Sequence, residues 1–388
     1  MDYQSILLSA KMLSTFDQAR LITELLGQSQ EDYLSLRRHQ LYDKQASCPW
    51  CESKKYFKWG IDKGSQRFKC KECGRTFTEF TGTWLDGIHK KSHVRSYIEL
   101  MLEGKSLDKT SRRLCINKKT AFDWRHKILS SLSQDQGNEM DGIVESDETF
   151  FEESEKGNRY LQRPGRKRGS SSVRPGKERR GISDNKVAVI ATADRQGGMN
   201  LCAATMGRIG KEDIARSIGR PLPAGTILCS DGHVSYKGFA RDNKLDHITL
   251  RADLNQHVKF GVYHIQNVNS IHNRLEKWID NSFWGVSTKY LQNYLGWFRL
   301  NEKLKGSPNP LKGFIEQSVQ DTDTLKRYRY IDVSHQWILT TLKKTTAKNL
   351  KSIAPYWRLP YRQLCSCRKR RLQKELWLGM CMEMLQVL

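Results

Sequence analysis

The segment Ile143-Val144-Glu145-Ser146-Asp147-Glu148-Thr149-Phe150-Phe151 decides how the larger part of this chain is read. β-branched and aromatic residues frame it, which suits a strand. Three comparable runs follow, at 186–193, at 200–205 after a turn at 194–198, and at 226–231. Apolar residues at helical spacing lie near 211–218, 264–280 and 286–302. Strands alternating with helices after residue 140 predict an α/β domain over 140–302.

Polar residues mark the ends of these elements. Asp147 lies near the end of the first strand. Asp231 closes the fourth and precedes Gly232, and Asn269 opens the helical pattern 269–279. Acids at strand ends in a basic protein are candidate ligands for a divalent cation. Mg²⁺ binds through few carboxylates together with phosphate oxygens. Two such ions can clamp the attacking and leaving oxygens of a phosphodiester displacement. Singly, each residue has another reading: Asp before Gly forms turns, and Asp147 could pair with an arginine.

The chain has 388 residues and a net charge of +24. So large an excess points to a polyanionic partner, and nucleic acid suits it better than an anionic membrane. No run of 18 apolar residues is present, and no basic leader precedes an apolar stretch at the N-terminus. A soluble cytoplasmic protein with no membrane partner is expected. The densest basic stretch, 159–180, carries nine Lys or Arg against one acid, Glu178. It reads as a loop inserted after the first strand, with Arg166, Lys167, Arg168, Arg179 and Arg180 placed to meet phosphates.

Upstream, residues 1–45 read as one or two helices. The segment 46–85 contains Cys48-Pro49-Trp50-Cys51 and Cys70-Lys71-Glu72-Cys73. Four thiolates at this spacing suit one tetrahedral Zn²⁺ in a closed, structural site, a zinc ribbon, with Lys63-Gly64 as a hairpin turn. The segment 86–135 is helical again. Ser106 caps one helix, Cys115-Ile116-Asn117 reads as a turn, and a second helix starts at Lys118. The spacing is that of a helix-turn-helix, with Lys118, Lys119, Arg125 and Lys127 as DNA contacts and Trp124 as core. The aromatic run 278–298 reads mainly as core. Residues 303–388 form a C-terminal extension without a readable motif.

As an ordered set, these motifs resemble a known family. The set comprises the four cysteines, Thr120–Lys127, Glu145-Ser146-Asp147-Glu148-Thr149-Phe150, Ser230-Asp231-Gly232 with Tyr236, and His264-Ile265-Gln266-Asn267-Val268-Asn269-Ser270. Trp284-Gly285-Val286-Ser287 and Tyr294-Leu295-Gly296-Trp297-Phe298 complete it. The chain resembles, over about residues 40–302, the bacterial insertion-sequence transposases of ISXO-like class. These join a zinc ribbon and helix-turn-helix to a DDE-type catalytic domain with Asn as its third residue. The resemblance implies an RNase H-like fold and catalytic Mg²⁺ or Mn²⁺ beside the structural Zn²⁺. Asp147 would bridge two ions, and Asp231 and Asn269 would hold one each. It also implies cleavage at element ends, joining of 3′-hydroxyls to target DNA, and a homo-oligomer assembled on double-stranded DNA.

One position departs from the family pattern. Seven residues after Asn269, where the family carries Lys or Arg, stands Glu276, followed by Lys277. Positions i, i+3 and i+7 share a helix face, so Glu276 would project with Asn269 and lend charge to the site. Alternatively Lys277 would reach in to a phosphate, or Glu276 would face solvent. Two other functions remain compatible with the residues: a catalytically inactive DNA-binding regulator, and a metal-dependent nuclease.

Overall fold

The computed structural model describes residues 3–14, 17–18, 47–62, 65–132, 139–157, 186–219, 222–223, 225–251, 254–319, 321, 324 and 328. The chain divides into two compact units, Met1–Leu342 and Lys343–Leu388, and every described residue belongs to the first. The inserted loop 159–180, the turn Lys63-Gly64, most of 1–45 and most of 303–388 lie outside the described residues. Of the expected N-terminal helices, α1 (Tyr3–Lys11) is described.

Three short antiparallel strands follow in the order β1 (Tyr56–Asp62), β2 (Ser65–Cys70), β3 (Thr76–Thr78). Cross-strand pairing sets Phe68 opposite Phe77 and Tyr56 opposite Cys70. The two phenylalanine rings stack at 5.5 Å, and Tyr56 meets both edge-on. With Cys48 and Cys70 they make up the whole buried core of this unit. So small a core cannot order three strands unaided.

Next come α2 (Val94–Leu102), α3 (Leu107–Arg113) and α4 (Lys118–Leu132). Ser106 caps α3 by accepting the Lys109 amide at 3.3 Å. The Asn117 side chain starts α4 by accepting the Lys119 amide at 2.8 Å. Cys115 turns the chain between them in the left-handed region, at φ 49°. Trp124 packs edge-on against Tyr97, as core.

The larger sheet contains β4 (Ile143–Glu152), β5 (Lys186–Asp194), β6 (Met199–Met206), β7 (Ile227–Asp231) and β8 (Asp246–Leu250), in the order β6-β5-β4-β7-β8. β4, β5 and β6 pair antiparallel, while β4–β7 and β7–β8 pair parallel. The sheet is therefore mixed and the architecture α+β rather than a plain α/β alternation. The β5–β6 hairpin needs no helix between its strands, and the later strands are joined by crossovers.

Helices cover both faces. α5 (Lys211–Ile218) and α6 (Val234–Asp242) bury Ile214, Ile218, Tyr236 and Phe239 against Val144, Ala188, Ile190 and Leu228. α7 (Gln266–Phe283) covers the other face, with Val268, Ile271, Leu275 and Ile279 against Val187, Val189, Ala191 and Leu201. Those α7 positions recur at three- and four-residue steps, the stripe a helix presents to a sheet.

α8 (Leu291–Leu304) serves two cores. Leu291, Leu295 and Phe298 join the sheet's core, while Tyr294, Trp297 and Leu300 join a second one. That second core unites Trp84, Tyr97, Met101, Trp124 and Leu129 with Phe314 and Val319 of α9 (Pro310–Val319). Helices that precede and follow the sheet in sequence thus share one interior. Gly296 lets α8 approach α4 closely: a Cβ there would lie 2.5 Å from the Leu132 carbonyl oxygen.

Candidate active site and metal centre

Residues 145, 147 and 149 alternate onto one face of β4. Each meets α7 at a successive turn. The Glu145 carboxylate accepts the backbone amides of Asn267 (2.9 Å) and Val268 (3.2 Å). Asp147 Oδ2 lies 4.0 Å from His272 Nδ1. Thr149 Oγ1 donates to Glu276 Oε1 at 2.5 Å. Two strand residues rise about 6.7 Å and four helical residues about 6 Å, so the helix tracks the strand rung by rung.

Glu145 is the anchor of this register. It is buried, and besides the amides at the start of α7 it takes the Asn267 side chain at 3.0 Å and Arg195 at 2.9 Å. A carboxylate at a helix N-terminus is favoured by the helix dipole. No local spacing reveals this role for Glu145, because its partners Arg195 and Asn267 are far away along the chain.

The strand pairing supplies the second acid. Val144 and Glu145 sit opposite Leu228 and Cys229 in parallel register. Two residues further along both strands bring Asp147 beside Asp231, the last residue of β7, at a strand spacing of about 4.8 Å. Burial pushes the Asp147 carboxyl up to about 7, and the charge of Asp231 adds to the rise. Burial lifts Glu148 to about 8, with further contributions from Asp147 and Asp231. Glu148 points to the other sheet face, where the Tyr236 hydroxyl donates to it at 3.3 Å. Burial holds that phenol well above its usual range, so it stays a donor. Among the described residues, no Lys or Arg pairs with Asp147, Glu148 or Asp231, although the chain carries +24 charges. Asp147 and Asp231 are thus two neighbouring carboxylates without a basic partner, while Glu148 is turned to the opposite face.

Asn269 stands exposed in the first turns of α7, one turn before His272. At 100° per residue it shares an exposed flank with Glu276, on the side of the helix nearer β4. The sequence expected these two to project together, and the Thr149 bond brings Glu276 to β4. Lys277 is exposed on the outer side of α7, opposite the buried stripe. His272 is buried, and desolvation lowers it to about 4, so it meets Asp147 as a neutral ring.

The cysteine centre is built locally. The sulfurs of Cys48, Cys51, Cys70 and Cys73 all lie within 4.8 Å of one another. Cys48–Cys73 and Cys51–Cys70 are 3.7 and 3.6 Å apart. Sulfurs bound tetrahedrally at 2.3 Å to one zinc stand about 3.8 Å apart, so the quartet fits that ion. Each knuckle closes the same way. Glu52 donates its amide to the Cys48 carbonyl and Gly74 to that of Cys70, both from left-handed conformations. The Cys73 and Glu72 amides draw the Cys70 thiol down to about 7, favouring the thiolate. Among the described residues this is the one group of three or more His, Cys, Asp or Glu side chains close enough to share an ion.

The expected DNA contacts divide. Lys118 is exposed and pairs with Asp108 at 3.2 Å, and Lys119 is exposed. Lys127 is half-buried, donating to the Asp86 carbonyl at 3.4 Å. Arg125 is a correction. It is 1% exposed, donates to the Lys105 carbonyl at 2.7 Å and lies over the Trp297 ring. It ties α4 to α3 and α8 and presents nothing to DNA. Arg166, Lys167, Arg168, Arg179 and Arg180 lie outside the described residues.

Comparison with known proteins bears on this arrangement. The chain is 26% identical over 285 residues to an uncharacterized protein in transposable element ISH50 of Halobacterium salinarum, covering 70% of this chain and 91% of that one. A solved pre-cleavage Mos1 transpososome is 11% identical, covering 65% of this chain and 79% of its own, but its TM-score of 0.22 carries no argument. Residues 139–301, which hold Asp147, Asp231 and Asn269, match the family described as the ISXO2-like transposase domain. By that match, residues 139–301 are similar to the ISXO2-like transposases, and the relative within a transposable element points the same way.

Proposed function

We propose that the chain is a metal-dependent DNA transposase that binds the ends of its element, cleaves there and joins the freed 3′-hydroxyls to target DNA. The observation that carries this reading is the parallel pairing of β4 with β7, which continued two residues brings Asp147 near enough to Asp231 to feel its charge, within the segment that matches the transposase family. An RNase H-like fold for 140–302 is supported by the strand order β6-β5-β4-β7-β8, in which the first strand is central and carries Asp147. Asp231 ends the fourth strand, and Asn269 lies on α7, the helix that follows α6 and β8 rather than the one directly after Asp231.

Asp147 and Asp231, with the Asn269 amide, would hold Mg²⁺ or Mn²⁺, whose charge would polarise a scissile phosphate. Glu145 keeps α7 in register with β4 and so holds Asn269 near the two acids. Thr149 fixes Glu276 one turn beyond His272, adding negative charge on the flank of the neutral Asn269. Partial burial of the two side chains would strengthen their electrostatic grip on a cation. The ribbon at 46–85 and the helices of 86–135 would form the end-recognition part, with Zn²⁺ in the cysteine quartet and Lys118, Lys119 and the insert 159–180 at phosphates. Assembly of two or more copies on paired ends goes with this reading.

An oligonucleotide assay with element ends, target plasmid and Mg²⁺ tests it. Joined product is expected from the wild type. Asp147→Ala and Asp231→Ala should lose it by at least about a thousandfold while retaining end binding, since each removes a charge stabiliser of the reaction. Cleavage without joining would make the protein a nuclease, and binding alone a regulator.

A further inference from the structure

The aromatic run 278–298 divides sharply in the structure. Trp278, Phe283, Tyr294 and Trp297 pack on one another with ring centroids 4.8–6.3 Å apart. Trp284, in the middle of the run, is 84% exposed. It ends α7 in the left-handed conformation, at φ 53° and ψ 47°. That position favours glycine or asparagine, and a bulky side chain there is unfavourable. Among the described residues, no ring contact or hydrogen bond of its side chain rewards a tryptophan at this place.

The loop that carries it is firmly held. Lys156 Nζ donates to the carbonyls of Phe283 (2.6 Å), Trp284 (3.3 Å) and Gly285 (3.0 Å), closing the electronegative end of α7. Ser154 exchanges two bonds with Thr288, at 2.8 and 2.9 Å, tying the loop to the segment after β4. Trp284 is thus an exposed ring on an ordered platform. It lines a cavity of some 1180 Å³ between that loop and helices α3 and α4. Lys105, Lys109, Lys118, Lys156 and Lys289 line the cavity against three acids, Glu103, Asp108 and Glu155, with Lys105 paired to Glu103 at 3.5 Å; Arg125 is buried beneath them. Asp108 is itself neutralised by Arg112 and Lys118.

We infer that this cavity binds unpaired DNA, with a base stacked on Trp284 and the strand's phosphates on the surrounding lysines. A basic groove beside an exposed aromatic ring is the chemistry of single-strand recognition, and stacking tolerates any base. Prior anchoring of the loop lowers the ordering cost of binding. The inference adds a single-strand subsite to the proposed DNA-processing function and rests on it for its biological meaning, but not for its test.

The test is binding of a fluorescent oligothymidylate of about 12 nucleotides, the length one such groove spans, and of a blunt duplex of equal length, to the full chain carrying Asp147→Ala. Oligothymidylate affinity should fall about tenfold in Trp284→Ala and in Trp284→Asn, and stay within about threefold in Trp284→Phe. Duplex affinity should not change. Trp284→Asn suits the left-handed backbone, so its melting temperature should match or exceed the parent's and rule out misfolding. Equal oligothymidylate affinity in all variants, or none in the parent, overturns the inference. So does a Trp284→Ala chain whose only change is in self-association by sedimentation. If the wild-type chain joins no DNA ends while the variants show this pattern, the transposase reading is refuted and the single-strand subsite stands.

Discussion

The cysteine quartet, whose sulfurs fit one ion, and the Asp147–Asp231 pair, proposed above to hold another, are built in opposite ways. The quartet gathers its sulfurs through two short knuckles, each closed by its own backbone bonds. Its core is four buried side chains, so the ligands and their ion would hold the ribbon together. The acid pair sits in a sheet that needs no ion to fold, between covered faces with large cores. There the ligands work against the fold: burial and mutual repulsion raise Asp147 to about 7 and Glu148 to about 8. A structural site stabilises through its ligands. A site poised for chemistry stores unfavourable charge that a bound cation and substrate relieve.

The largest effect should come from breaking the quartet. Structural zinc binding is on the order of 10 kcal/mol, more than so small a core can replace. Cys48→Ser or Cys70→Ser should abolish zinc retention and erase amide-exchange protection at Phe68 and Phe77. Protection in β4 and β5 should stay as in the parent. Specific end binding should go with the ribbon. Protected ribbon amides in a zinc-free chain would mean that the aromatic trio suffices, and the contrast between the two sites would fail.

The same contrast governs what could be read from the sequence. Two Cys-x-x-C knuckles spell their geometry in local spacing, and the structure brings the four sulfurs together. Four strands of the larger sheet were legible from their β-branched runs. The fifth, Asp246–Leu250, was not: it is a short edge strand with Asp, His and Thr among five residues. The helix-turn-helix spacing was visible, but not which of its cations face outward. Arg125 reads as a DNA contact by composition, and only its packing under Lys105 and over Trp297 reveals a buried tie. Asp231 does end its strand, but Asp147, expected at a strand end, stands in the middle of the ten-residue β4, and their adjacency depends on a parallel register that sequence does not encode locally. Glu145 and Glu148 lay in the opening stretch and drew no role, since each acts through a partner distant in sequence.

A smaller effect tests whether the sheet site depends on the helical layer behind it while the ribbon does not. Gly296→Ala would drive a Cβ to 2.5 Å from the Leu132 carbonyl oxygen and 3.0 Å from its carbon. Backbone cannot give way as a flexible side chain does, so α8 must shift from α4 at about 3 kcal/mol. Denaturant unfolding of the main transition should move to lower concentration by that amount, and the chain should still retain its zinc. Unchanged stability would show that the two helices separate freely, and that the core shared by residues before and after the sheet is loosely coupled to it.

The finest distinction lies in the sign of a ligand's removal. A carboxyl raised to about 7 in the folded protein has an unfolded value of about 3.9. Below about pH 4 both states hold the proton, and Asp147 is neutral for stability. As the pH climbs from 4 to 7 the unfolded chain ionises while the folded one resists, so stability falls. Above 7 the full penalty is present. Asp147→Asn removes the ionisation and nearly keeps the shape. It should therefore stabilise the protein at pH 8 by about 2 kcal/mol, allowing for coupling to Asp231 and Glu148, and change nothing at pH 4. Millimolar Mg²⁺ should raise the melting temperature of the wild type at pH 8 and leave Asp147→Asn much less affected, because the cation and the substitution relieve the same repulsion. Cys48→Ser would move stability the other way. Loss of stability in Asp147→Asn at pH 8 would show Asp147 to be a structural hydrogen-bonding group, and would remove the physical ground for treating the acid pair differently from the cysteines.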